Sequence, residues 1–308
     1  MAYDIAEDEF IPGNLLFADS RSLKTTDGTT TSHIAGAISK SYGYIDGVGA
    51  NARFFLIISM IQLSISYVIV ADYHNHCLRS VDRTTNLTST YSGNCTNRGD
   101  RDGVDALFTR PRSIILDLMN SQQLIISEYH SGSLKTVNIV RKHVSTMYRS
   151  SYSLRNLLQD PSTGNIYVAF EQGLGLYDYQ GNTFSIITGS RTTGFEDGEF
   201  SQLRFFYPQG LVFLSRSTLL VVDHFNDRLR VLDLTTNTSS SICSGVRGHS
   251  DGDLSSCQLD RPWSLLKVND TVYVGQSRDI RSIQGKYSAA QHVAKYYSEC
   301  AIFFYHGL

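Results

Sequence analysis

A pattern of about fifty residues recurs along this chain, and it constrains the fold more than any single residue does. Its marker is a polar residue, acidic in five of the six copies, that closes an apolar run of strand-forming residues. It falls at Asp19 (LLFADS), Asp72 (VIVADYHNH), Glu128 (LIISEYHSG), Glu171 (IYVAFEQG) and Asp223 (LLVVDHFND), with Gln276 (VYVGQSRD) in the sixth place. Successive markers stand 53, 56, 43, 52 and 53 residues apart. A unit of this size cannot cover its own apolar faces, so the copies must pack against one another.

The copy from Phe195 to Gly245 shows the internal grammar best. Asp197-Gly198 forms a turn, Phe205 and Pro208-Gln209-Gly210 follow, and then come short runs at Leu211–Leu214, Thr218–Val222, Arg228–Asp233 and Thr238–Cys243. These runs are rich in Val, Leu and Ile and too short for helices, so they read as strands. Asp-Gly turns recur at Asp46-Gly47, Asp102-Gly103 and Asp251-Gly252. The copy between Asp102-Gly103 and Asp197-Gly198 lacks one. Four short antiparallel strands per copy, stacked radially, predict an all-β chain folded as a β-propeller of about six four-stranded blades. The blades are expected at residues 1–43, 44–99, 100–150, 151–194, 195–248 and 249–308, in a single domain.

The second copy carries Asp46-Gly47, Ala52-Arg53-Phe54, Val70-Ala71-Asp72, Asn75, Leu78-Arg79 and Asp82. The copy from Phe195 carries Asp197-Gly198, Phe205, Pro208, Gly210, Val222-Asp223, Asn226, Leu229-Arg230 and Asp233. Over roughly residues 3 to 285 the pattern resembles that of NHL repeats. The resemblance implies NHL-type blades. It also brings two functional precedents: intracellular propellers that bind RNA or belong to ubiquitin ligases, and a zinc-dependent amidating lyase. The second copy departs from the pattern where Phe55–Met60 (FLIISM) replaces the Pro-x-Gly segment, and Tyr287–Leu308 follows no repeat.

With 27 basic and 29 acidic residues the net charge is -2, which gives no reason to expect nucleic acid or an anionic membrane as partner. One basic cluster, Arg98, Arg101, Arg110 and Arg112 with Phe108 among them, is too small for a sustained phosphate-tracking face. The apolar run Phe54–Ala71 is long enough to suggest a membrane span, but Ser59, Gln62, Ser64 and Ser66 interrupt it where other copies place two strands. No membrane span is expected. Met1–Glu9 (MAYDIAEDE) lacks the order of a secretory signal, so a secreted form would carry its leader upstream.

Cys77 in the third strand and Cys95 beyond the fourth come opposite each other if the hairpin between them turns near Asn86, and a disulfide is expected there. Cys243 and Cys257 flank the Asp251-Gly252 turn and form a second candidate pair, leaving Cys300 without a partner. Free thiols are the alternative, because disulfides persist mainly outside the cytosol. Candidate glycosylation sites are Asn86, Asn94, Asn237 and Asn269, little more than random placement produces. His74 and His130 lie two residues after the marker and His224 one residue after it, the candidate ligands of a three-histidine metal site. Loop histidines are the simpler reading. The marker acids read as partners of nearby turn amides rather than catalytic carboxylates, because they recur in copy after copy.

No phosphate loop or nucleophile elbow is present, and no catalytic residue or cofactor is read from the sequence. The expected function is a non-enzymatic module that binds a protein partner through inter-blade loops, within an extracellular, lumenal or membrane-anchored protein. The alternatives are the zinc-dependent lyase and the cytoplasmic RNA- or ligase-associated propeller.

Overall fold

Runs such as Tyr67–Asp72 (YVIVAD) are buried at almost every position, as expected of strands covered on both faces by neighbouring sheets. The computed structural model describes residues 1–39, 41–189 and 192–284 together with the backbone of a strand at 302–305. Cys300 and the rest of Tyr287–Leu308 lie outside the described residues.

The described residues form six antiparallel sheets, one per sequence copy, and the fold is a six-bladed β-propeller. The first sheet holds β1 (Asp4–Glu7), β2 (Leu15–Ala18), β3 (Ser22–Thr26) and β4 (Thr31–Gly36). The second holds β5 (Gly47–Val48), β6 (Ile57–Ser64), β7 (Tyr67–Asp72), β8 (Cys77–Asp82) and β9 (Leu87–Ser92). The third holds β10 (Pro111–Leu116), β11 (Gln123–Glu128), β12 (Ser133–Asn138) and β13 (Val144–Arg149). The fourth holds β14 (Leu154–Gln159), β15 (Ile166–Phe170), β16 (Gly173–Asp178) and β17 (Thr183–Gly189). The fifth holds β18 (Gly198–Glu199), β19 (Pro208–Ser215), β20 (Thr218–Asp223), β21 (Arg228–Asp233) and β22 (Thr238–Ile242). The sixth holds β23 (Ser264–Val268), β24 (Thr271–Gly275), β25 (Ile280–Gln284) and β26 (Ile302–Tyr305). Helical structure among the described residues amounts to three single 3-10 turns, at Gly49–Asn51, Tyr73–Asn75 and His224–Asn226.

The apolar run Phe54–Ala71 is a hairpin. β6 pairs with β7 in the register Met60↔Val70 and Ile61↔Ile69, and no helix among the described residues is long and apolar enough to cross a membrane. The Asp-Gly leaders differ from the expected simple turns. The residues after the aspartate form two-residue strands that add a fifth, outermost strand: Gly47↔Thr88 on β9 and Gly198↔Ser239 on β22. In the third sheet Gly103 exchanges both backbone hydrogen bonds with Val144. Gly103 and Gly198 sit at φ +106 and +113, values that a side chain disfavours.

The chain resolves into two compact units, one of Tyr3–Val168 and Tyr177–Phe184, the other of Met1–Ala2, Ala169–Leu176 and Ser185–Leu308. In the first, Leu16, Leu23, Phe54, Ile57, Val68 and Val81 fill the space between the first two sheets. Ile125, Leu134, Leu154, Leu157, Ile166 and Val168 pack β11 and β12 against β14 and β15. In the second unit Leu220, Leu229, Ile242, Leu259, Val272 and Ile283 join the fifth and sixth sheets.

The first strands of successive sheets lie side by side, and side chains there satisfy backbone groups of the neighbour. Asp4 Oδ2 accepts from Met60 N–H (2.7 Å), Ser59 Oγ from Ile114 N–H (3.2 Å) and Ser113 Oγ from Leu157 N–H (3.2 Å). In the other unit Gly210 N–H donates to the Trp263 carbonyl (3.0 Å), and a Cβ on Gly210 would lie 2.8 Å from Leu265 N. Ser59 and Gly210 occupy the same place in their sheets, two residues beyond the one paired with the marker acid. The FLIISM departure therefore replaces a close backbone approach with a hydroxyl that reaches across. Ser59→Ala should leave the buried Ile114 N–H without its partner and destabilise the protein by roughly 1–3 kcal/mol, measured by chemical denaturation. A change below about 0.3 kcal/mol would show that this contact carries no weight.

Candidate binding face

Three of the marker acids, Asp72, Glu128 and Asp223, are buried, and each organises the segment above it. Asp72 Oδ1 accepts from the N–H groups of Phe55 (3.0 Å) and Leu56 (3.3 Å), while Oδ2 accepts from Asn75 Nδ2 (2.7 Å) and Arg79 Nη1 (3.2 Å). The guanidinium of Arg79, wholly inaccessible, also donates to the Arg53 and Ile45 carbonyls and to Asp46 of the Asp-Gly leader (2.5 Å). Its carbon lies 4.8 Å and 5.2 Å from the ring centroids of Tyr44 and Phe54. The fifth sheet repeats this: Arg230 bonds Asp223 (2.9 Å), Asp197 (2.7 Å) and the Arg204 and Glu196 carbonyls, between the rings of Phe195 and Phe205. In the third sheet Lys135 takes the place of the arginine, 2.7 Å from both Asp100 and Asp102 and 3.9 Å from Glu128. In the sixth Arg281 bonds Asp251 and the Gln258 and Ser250 carbonyls. Burial pushes the Asp72 and Asp223 carboxyls up, while hydrogen bonds and the neighbouring arginine pull them down. These acids are structural, as the recurrence suggested. The cation of the clamp was missed, although its signal, Arg or Lys seven residues after the acid, is present at Arg79, Lys135 and Arg230.

In an antiparallel sheet the second strand ends where the first begins, so the residues following β7 and β11 share one end with those preceding β6 and β10. In the first unit this end carries a continuous set of rings and cations. Tyr42 stacks on Phe55 at 4.4 Å, Phe55 meets His74 at 4.7 Å, and His74 meets Tyr73 at 4.9 Å. Tyr73 continues to Tyr129 at 6.2 Å and Tyr129 to His130 at 5.6 Å. Arg21 lies over Tyr42 (5.6 Å) and Arg110 over Tyr73 (5.4 Å), while the buried Arg112 lies over both Tyr73 and Tyr129. His76, at φ +59, accepts the Arg110 N–H on Nδ1 (3.1 Å). Burial, followed by the charges of Arg110 and Arg98, lowers the His76 pKa to about 4, so the ring is neutral at ordinary pH. His74 and His130 are also shifted down, by burial first and then by Arg110. Asp72 holds Phe55 in this face, and Glu128, accepting from Thr109 N–H, holds the residue before Arg110.

The basic cluster read from the sequence divides. Arg98, Arg110 and Arg112 belong to this face, Arg101 folds back on the Asp105 carbonyl, and Phe108 is buried. Of the candidate metal ligands, His74 and His130 stand on this face. In the other unit His224 is buried, its Nδ1 donates to the Pro262 carbonyl (2.9 Å), and it packs edge-on to Trp263. Among the described residues no group of three or more His, Cys, Asp or Glu side chains is arranged to hold a metal ion. The second unit carries an aromatic group of its own, Phe206, Tyr207, Phe225 and Trp263, with Arg261 over Phe225.

Cys77 bonds Cys95 and Cys243 bonds Cys257, the pairs expected from the sequence. Asn86 and Asn237 occupy hairpin turns, each at φ +55, Asn269 occupies the β23–β24 turn at φ +52, and Asn94 is exposed.

No family model matches the chain, and no curated protein sequence matches it. Solved structures do resemble it in fold. An auxiliary nutrient binding protein from Bacteroides ovatus superposes with a TM-score of 0.67 at 12% identity over 89% of this chain, which spans 66% of that protein. The nidogen/laminin complex gives 0.60 at 13% identity, covering 88% of this chain and 89% of the other. A Bacteroides thetaiotaomicron protein of unknown function gives 0.52 at 16% identity, covering 87% and 80%. At these identities the likeness is one of fold.

The disulfides close loops of 18 and 14 residues, and each should stabilise the protein by roughly 3 kcal/mol in the chain-entropy model. Complete reduction, verified by alkylation, should lower the melting temperature by several degrees; an unchanged transition would contradict this.

Proposed function

We propose that this chain is a non-enzymatic interaction module of NHL-like blades that binds a protein partner through the loop end described above. The observation that carries this reading is the division of labour at that end. Asp72 and Glu128 are buried and committed to the fold, whereas rings and cations are left at the surface, with Tyr42 59% and Phe55 36% exposed. Rigid strands presenting exposed aromatic and arginine side chains are a common basis for recognition. The names of two fold neighbours, a nutrient binding protein and a complex with laminin, agree with a binding role by analogy alone. The two disulfides favour an oxidising compartment, extracellular or lumenal, with Asn86, Asn94, Asn237 and Asn269 as accessible glycosylation sites.

A photo-crosslinking side chain at Tyr42 should trap one partner protein, saturably and in competition with unmodified protein. The same group at Val140, exposed in the turn at the opposite end of the third sheet, should trap none. Stoichiometric zinc in the purified protein, lost when His74, His130 and His224 are replaced, would instead favour the lyase-like reading.

A further inference from the structure

Two groups of cations in the first unit contrast. Arg79, Lys135 and Arg83 are buried and have carboxylates: Asp72 and Asp46, Asp100 and Asp102, and a two-pronged pair with Asp8 at 2.9 and 3.1 Å. Arg21, Arg98 and Arg110 form no ion pair with any described residue, and the Nε atoms of Arg21 and Arg110, like that of Arg79, are buried without a hydrogen-bond partner. All three stand on the loop end that carries Tyr42, Phe55, Tyr73 and Tyr129. Arg21 and Arg110 touch its rings, and Arg98 lies within electrostatic reach of His76 and His130. The charge of Arg110 acts on all three imidazoles, His74, His76 and His130, and that of Arg98 on His76 and His130.

Guanidinium groups with unused donors, outside any ion pair and beside imidazoles, are complementary to carboxylates, which they bind in a forked geometry. The stacked pair Tyr42–Phe55 adjoins them and offers flat apolar surface to a neighbouring side chain. We infer that this strip of the first unit docks an acidic peptide segment of the protein partner, with carboxylates on Arg21, Arg98 and Arg110 and an apolar or aromatic side chain on Tyr42 and Phe55. The inference rests on the binding-module reading and names the chemistry of its partner. A nucleic acid is the less favoured occupant. Tracking a phosphate backbone requires a sustained basic row, whereas this strip has three such guanidiniums, no lysine, and a chain of net charge -2 around it.

The test uses the intact protein and a fluorescein-labelled, glutamate-rich peptide containing one tyrosine, with its glutamine counterpart as control. Fluorescence anisotropy should show saturable binding of the glutamate peptide, weakening with added salt, and about tenfold poorer binding of the glutamine peptide. Arg98→Glu, at an exposed position, should weaken binding about tenfold while leaving the melting temperature unchanged. Arg110→Ala should act in the same direction, and Arg101→Ala, nearby but tied to Asp105, should change affinity by less than about twofold. Equal affinity for the two peptides, or no effect of Arg98→Glu, overturns the proposal, as does an oligonucleotide of equal charge that binds more tightly and loses affinity in the same variants. If the partner trapped at Tyr42 binds Arg98→Glu as well as the wild type, the acidic-segment inference falls while the binding-module reading stands.

Discussion

In four of the six sheets, among the described residues, a buried cation ties a loop to the sheet across some thirty residues of sequence, and the architecture of those blades depends on that tie. Arg79 reaches Asp46, 33 residues earlier, and Asp72 at the end of the adjacent strand; Arg230 does the same with Asp197, also 33 residues away, and Asp223. A buried guanidinium is tolerated only when its charge is compensated and its donors are satisfied. Two carboxylates compensate the charge of Arg79, these and two backbone carbonyls take its terminal donors, and the rings of Tyr44 and Phe54 close over its faces, while its Nε is buried without a partner. Replacement of arginine by Lys135 in the third sheet keeps the charge but loses the fork, and a second aspartate, Asp100, joins Asp102 there.

The clamp also shapes the surface. The second oxygen of Asp72 orders Phe55 and Leu56, Glu128 orders Thr109, and Asp223 orders Phe206 through its N–H at 2.8 Å. Residues next to those anchor points are therefore held in place on strand ends while their side chains remain free to vary. In the first unit the variable positions supply arginines, imidazoles and tyrosines, and in the second they supply Phe206, Tyr207 and Phe225. Core and loop thus meet in the same carboxylate, one oxygen serving each.

Much of the architecture was legible because it repeats. The marker spacing revealed the number of sheets, and the reading of Phe54–Ala71 as two strands followed from its position in the copy. The register around Asn86 also placed Cys77 opposite Cys95. Less legible were contacts that join residues distant in sequence and differ between copies. Ser59, where another copy has Gly210, looked like a departure from the pattern; only the neighbouring strand shows that its hydroxyl meets Ile114 N–H. The face of rings and cations was obscure for a similar reason. Arg98 and Arg110 stood out as a basic cluster with Arg101, yet Arg101 turns away and Arg21, from the first sheet, aligns with them through Tyr42 and Phe55. Spacing reveals which residues repeat, whereas a site assembled from the variable residues of three blades requires coordinates.

A double-mutant cycle on Arg79 and Asp72 probes the clamp most directly. Removing the cation alone, as Arg79→Met, should destabilise the protein by about 3–5 kcal/mol, because Asp72 would be left buried and uncompensated. Replacing Asp72 with Asn in that background should recover part of the loss, giving a coupling energy of at least about 1.5 kcal/mol. Additive effects of the two substitutions, within about 0.5 kcal/mol, would contradict the claim that the buried pair holds loop and sheet together.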